Sequence, residues 1–325
     1  MTGASRPAWA GLVAAFGAVY LFWGGTFLAI RYAVQEMPPL LMMASRCAGG
    51  AAILFAWLAW RRQIERPSRA QWLTSAVAGT LLFLGCHGLL ARAEQRVSSG
   101  QAALYATSIS LWIVLLDSLR ARRAPAGRVL AGLALGTLGV AVLTGNEAGS
   151  GTALDRVALL ASALFWAVGS LVARDGARPA SAAQSTAMQL AGGAASLLVA
   201  SALTGELSRG WSPAEELTTR GLTALAFLIV CGTVLGFGAY TWLMRVTTPA
   251  AASTYAFVNP VIALALGWAV GDDILGPRTA VAAVLVVGAV LLTRKGHGPR
   301  PHSTTDSPQK ARPQAGPSKL RIADS

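Results

Sequence analysis

Two ionisable side chains stand inside long apolar runs. Arg46 lies about eight residues into the run 38–60, or roughly 12 Å along a helix at 1.5 Å per residue. His87 lies within the run 70–91. An ionisable group at such a depth marks an ion or substrate path, or else ties elements together. For Arg46 the second role is a tie to helix-end carbonyls or to a carboxylate. For His87 the chemical role is proton exchange near neutral pH, and the structural one is a neutral, hydrogen-bonded core histidine.

Aromatic and small polar residues recur at helical spacing in four further runs. Tyr20, Trp23, Gly24, Phe27 and Arg31 share one face; Gln101, Tyr105, Ser108 and Trp112 share another. Ser162, Trp166 and Gly169 form a third, and Tyr255 with Asn259 a fourth, just before Pro260. Rings with a few hydroxyl and amide groups suit a cavity for an amphipathic organic molecule, or for a cation held on ring faces. Helix packing is the alternative role for each. Pro260 removes a backbone donor and clashes one turn back. The freed carbonyl must meet a neighbour or a wet cavity, so the segment either offers an acceptor or is a fixed kink.

Enzyme chemistry has little to work with. Of three histidines, His297 and His302 lie in a polar tail. There is no HExxH, Walker loop or GxSxG. Cys47, Cys86 and Cys231 are scattered through apolar runs and read as small core residues. No catalytic residue, metal site or cofactor is expected, and no charge ring or filter motif points to a channel.

The elements that must position these residues follow from composition. Of 325 residues, 54% are hydrophobic and 13% charged, against about a quarter charged in soluble proteins. Runs of about 20 apolar residues span a bilayer. Ten such runs occur: 9–30, 38–60, 70–91, 98–119, 126–145, 154–173, 180–204, 220–243, 249–271 and 277–293. The fold expected is therefore all-α and integral to a membrane. The net charge is +13, but its placement reads as topology and not as nucleic-acid binding. Arg61, Arg62, Arg66, Arg69, Arg120, Arg122, Arg123, Arg128, Arg174, Arg178 and Arg245 fall in one set of loops. The alternate loops mix Arg with Glu36, Glu94, Glu147, Asp155, Glu206, Glu215, Glu216, Asp272 and Asp273. The positive-inside rule then puts both termini in the cytoplasm. Residues 1–8 form a short cytoplasmic N-terminus. Residues 294–325, basic and rich in Pro and Ser, are predicted to be a disordered cytoplasmic tail.

The halves 9–145 and 154–293 resemble each other. Phe22-Trp23 and Arg31 correspond to Phe165-Trp166 and Arg174 at an offset of 143 residues, and GVAVLT from Gly139 corresponds to GAVLLT from Gly288 at 149. Five spans per half make the second copy enter the membrane from the opposite side, an arrangement that recurs in transporters.

FWGGTFLAIRYAV (Phe22 to Val34), Pro38-Pro39-Leu40 followed by Arg46, AEQRVSSGQAAL (Ala93 to Leu104) and YAFVNPVIALALGW (Tyr255 to Trp268) resemble, in order, the two copies of the EamA repeat. The chain is thus similar to the ten-span drug/metabolite exporters of the drug/metabolite transporter superfamily. That resemblance implies two inverted five-helix repeats, a central cavity, and export of small metabolites or drug-like compounds across a bacterial inner (plasma) membrane. The partners implied are a small-molecule substrate and the lipid bilayer. An intramembrane enzyme or a channel is the alternative. Ser110 stands where the family often has the proline that Pro260 supplies in the second copy. Substrate, coupling and oligomeric state are not legible.

Overall fold

The computed structural model describes residues 9–97, 99–144, 152–208, 211–212, 216–270 and 277–294. The expected N-terminus, the tail, Glu147, Glu215, Asp272 and Asp273 lie outside these. Every regular element among the described residues is helical. They are α1 (Trp9–Glu36), α2 (Pro39–Trp60), α3 (Arg69–Glu94), α4 (Ser99–Ala121), α5 (Gly127–Thr144), α6 (Ala153–Asp175), α7 (Ala182–Leu203), α8 (Thr219–Val246), α9 (Tyr255–Val270) and α10 (Pro277–Arg294). Six of them, α1, α2, α3, α6, α7 and α8, are long and apolar enough to cross a membrane. Large apolar side chains crowd the outside: Leu21, Trp60, Leu154, Leu203 and Val284 are all exposed. A water-soluble surface does not carry so continuous an apolar coat.

Helix ends follow local chemistry. Ser68 with Gln71 and Thr152 with Asp155 form reciprocal caps at the starts of α3 and α6. The Glu206 carboxylate accepts from Leu40 N and Leu41 N at 3.0 and 3.1 Å, capping α2 from the far end of α7. Arg62 and Arg122 end α2 and α4 with φ of 53° and 49°. Both occupy the left-handed position that closes a helix.

The packing repeats with a shift of five helices. α4 lies along α6 as α9 lies along α1; α3 crosses α7 as α8 crosses α2; α3 meets α6 as α8 meets α1. α2 packs on α7 and α5 on α10, pairs that map onto themselves. α3 and α8 also share a deviation. Thr80–Gly88 and Leu228–Phe237 are π-helical, wound one residue wider than an α-helix. In both, a side chain reaches back five residues: His87 Nδ1 to the Leu82 carbonyl at 2.9 Å, and Thr233 Oγ1 to the Leu228 carbonyl at 2.8 Å.

The run 249–271 departs from the expected single helix. One turn, Pro249–Ala252, ends at Ser253 and Thr254 before α9 begins. Ser253 and Thr254 turn their hydroxyls onto the carbonyls of Ala250 and Ala251, at 3.1 and 2.8 Å. The Ser110 hydroxyl donates to the Ser253 carbonyl at 2.7 Å. The break thus precedes Asn259-Pro260, and Pro260 sits inside α9.

Candidate functional site

A cavity of about 70 Å³ lies where α1, α2, α3, α4, α6 and α9 meet. Of the residues singled out from the sequence, it brings together Trp23, Phe27, Arg46, His87, Ser162, Trp166, Tyr255, Asn259 and Pro260. Thr26, Ile30, Cys86, Leu90, Ala106, Ile109 and Ala256 complete the lining.

Other candidates lie elsewhere. Tyr20 bonds through its hydroxyl to Thr254 Oγ1 at 2.7 Å, off the cavity wall. Arg31 is exposed. Tyr105 packs against the cluster of Leu90, Val97 and Leu159, and Trp112 against the main core. The Ser108 hydroxyl donates to its own helix, at the Tyr105 carbonyl, 2.6 Å away. The face that α4 presents is therefore Ala106 and Ile109, one residue off the expected stripe. The Gln101 side chain lies outside the described residues. Sequence reasoning gave no signal for Ala106, Ile109 or Ala256, because small apolar residues line apolar helices on every side.

The floor of the cavity is aromatic. The Trp23 ring stands edge-on to Trp166 and Tyr255 at centroid distances of 5.4 and 4.7 Å. Tyr240 contacts Trp23, Trp166 and Tyr255 at 5.3, 5.5 and 5.6 Å. Its hydroxyl donates to Ser170 Oγ at 2.7 Å. His87 lies between Phe83 and Trp166, 5.6 and 5.2 Å from their ring centres. Because a carbonyl can only accept, the contact to Leu82 puts a proton on His87 Nδ1.

The wall holds the guanidinium. Arg46 is 3% exposed. Its Nε donates to Thr233 Oγ1 at 2.6 Å. Gly232 makes room for it: a Cβ there would lie 3.3 Å from Arg46 Nη2 and 2.8 Å from Thr26 Cγ2. Arg46 Nη1 is buried without a hydrogen-bond partner among the described residues, as is Asn259 Oδ1. The Tyr255 hydroxyl and Trp166 Nε1 make no hydrogen bond of ordinary geometry among the described residues. Glu94, expected near the outer surface, holds both carboxylate oxygens buried and unpartnered among the described residues.

Ion pairs lie away from the cavity, at the ends of the helices. Arg174 Nη1 meets Asp117 at 2.7 Å where α4 and α6 end together. At the opposite end Arg96 meets Asp155 in a forked contact, with Nε 3.2 and 3.1 Å from the two oxygens. The bonds and charge of Asp155 hold the Arg96 guanidinium above its ordinary pKa. α6 is thus tied at both ends, to the end of α4 at one and to the α3–α4 connection at the other.

Known proteins share this architecture. Residues 9–145 and 156–294 each match the EamA-like transporter family. The inner membrane transporter YedA of Escherichia coli K12 is 31% identical over 292 residues, covering 88% of this chain and 91% of its own. The transporter YoaV of Bacillus subtilis 168 is 23% identical, covering 84% and 91%. A solved crystal structure, 24% identical, covers 90% of this chain and 99% of its own with a TM-score of 0.69, which is a likeness of fold. With both of its halves matched by one repeat and its nearly full-length likeness to YedA, the chain belongs to the EamA-like transporter family.

Proposed function

We propose that this transporter is an inner-membrane carrier that exports small organic molecules by alternating access through the central cavity. The observation that supports this reading is that both repeats build that cavity. α1 to α4 contribute Trp23, Arg46, His87 and Ile109, while α6 and α9 contribute Trp166 and Asn259. Inverted repeats around a shared site exchange an inward-open for an outward-open form when the two copies swap conformations.

In this reading α4, α5, α9 and α10 cross the membrane with the six longer helices. The repeats at 9–145 and 154–293 are inverted, and both termini are cytoplasmic. The aromatic layer of Trp23, Trp166, Tyr240 and Tyr255 then closes the cytoplasmic side of the cavity, because it sits toward the start of α9 and the end of α8. Trp23, Phe27, Ser162, Trp166, Tyr255 and Asn259, which line the cavity, and Tyr240, which borders it, handle the substrate. A flux experiment tests the carrier reading. The full chain in proteoliposomes is offered radiolabelled phenylalanine, uridine and 3-phenyllactate, one at a time. Saturable flux with counterflow is the expected result. Flux that never saturates belongs to a channel, and a chemically altered probe to an enzyme.

A further inference from the structure

The cavity wall holds a buried positive charge with an unused donor. Arg46 spends Nε on a neutral hydroxyl, Thr233 Oγ1, and leaves Nη1 buried and unpartnered among the described residues. Among the described residues no Asp or Glu lines the cavity. The ion pairs among the described residues engage Arg96, Arg120, Arg174 and Arg220, and not Arg46. Glu94 lies on the stripe of α3 that includes Leu90, one turn further out, and forms no ion pair with Arg46.

A charge removed from water without a counter-ion is costly. Thr233 cannot neutralise it, and its hydroxyl is itself engaged with Leu228. A guanidinium also presents a planar fork matched to a carboxylate. Among the described residues the same cavity also offers the unpartnered acceptor Asn259 Oδ1, the Tyr255 hydroxyl, and aromatic walls from Trp23, Phe27 and Trp166. Attraction of a cation to the rings would have to overcome repulsion from Arg46.

We infer that the cavity takes small organic acids, whose carboxylate pairs with Arg46 Nη1, whose hydroxyl or amino hydrogen meets Asn259 Oδ1, and whose apolar body lies among the rings. This rests on the carrier reading above and adds the sign of charge that it selects.

The test compares matched probes on the full-length protein. Three bodies are used, phenyl, indolyl and isobutyl. Each is offered as the 2-hydroxy acid, as the neutral 2-hydroxy amide and as the amine lacking the carboxyl carbon. Binding to purified protein is read as thermal stabilisation, and exchange as counterflow in proteoliposomes. At least one acid should bind about tenfold or more tightly than its amide, the scale of a charge-assisted hydrogen bond. The amine should bind more weakly still. Arg46→Gln, confirmed as monodisperse, should bring acid and amide to equal affinity, and Arg46→Lys should keep part of the preference. If no acid outcompetes its amide on the native protein, the inference is overturned, whether or not the Arg46 variants fold. Counterflow of an amide or amine without acid preference would overturn it while leaving the carrier reading standing. Absence of counterflow for any probe, with acid preference intact in binding, would instead strike at the carrier reading.

Discussion

Trp23 Nε1 donates to the carbonyl of Gly232 at 2.8 Å, joining positions 209 residues apart. The acceptor belongs to the π-helical part of α8. The indole fits only because Gly236 has no side chain: a Cβ there would stand 2.6 Å from Trp23 Nε1. First and second repeats are thus tied beside the cavity. Trp23→Phe keeps most of the ring packing and removes the donor. It should lower unfolding stability in detergent by about 0.5–1.5 kcal/mol, measured with a denaturing detergent titration. An unchanged midpoint would show that the carbonyl is satisfied without Trp23.

The crossing of α3 and α7 depends on missing side chains. A Cβ at Gly79 would collide with the Gln189 carbonyl, and one at Gly192 would sit 2.7 Å from Ala76 Cα. Backbone cannot yield as a flexible side chain does. Gly79→Val should destabilise by about 1–3 kcal/mol, seen as a lower melting temperature of the purified protein. Retention of the parent's melting temperature would mean the helices separate freely there.

Much of the fold was legible from sequence because apolar runs and polar breaks set helix ends. Ser68 and Thr152 cap where the runs begin. Arg46 and His87 were legible because an ionisable group within an apolar run needs an explanation. The face of α4 was not. Ser108 satisfies its hydroxyl on its own helix, so polarity did not mark the cavity side. The π turns carry no side-chain signature either, and the break at Ser253 depends on bonds to carbonyls one turn back.

Cavity position and sequence face make different predictions for transport. Phe27→Ala and Trp166→Ala should raise the half-saturation concentration for a transported probe several-fold, since both rings line the cavity. Tyr105→Ala and Trp112→Ala should leave it near the parent value, because their rings pack elsewhere. Counterflow kinetics on inserted variants decide. Equal effects from both sets would place the path along α4 instead.

Topology is open to direct labelling. On a cysteine-free background, Arg66→Cys and Ser208→Cys introduce thiols at exposed positions. In intact cells an impermeant maleimide should label position 208 and spare position 66. The reverse pattern would invert the proposed orientation.

His87 should not be an obligatory proton carrier. Its Nδ1 is engaged with Leu82, and no carboxylate is bonded to its ring among the described residues. His87→Gln should retain counterflow across about pH 5–8, the range in which a histidine relay would titrate. Intact counterflow with loss of proton-driven accumulation would assign the coupling step to His87.

The π turns at Thr80–Gly88 and Leu228–Phe237 act as phase shifts. Each takes up one residue more than regular α winding, so the segment beyond it lags by about 100° behind an unbroken α-helix of the same sequence. Were 80–88 to rewind as a regular α-helix with no residue lost, 89–94 would rotate by that angle. Leu90 would leave the cavity wall and Glu94 would swing with it. The winding of this turn therefore sets which side of α3 meets the cavity. A single-residue gap there, between two otherwise similar chains, is absorbed by the return to α winding and leaves 89–94 on the faces they now hold.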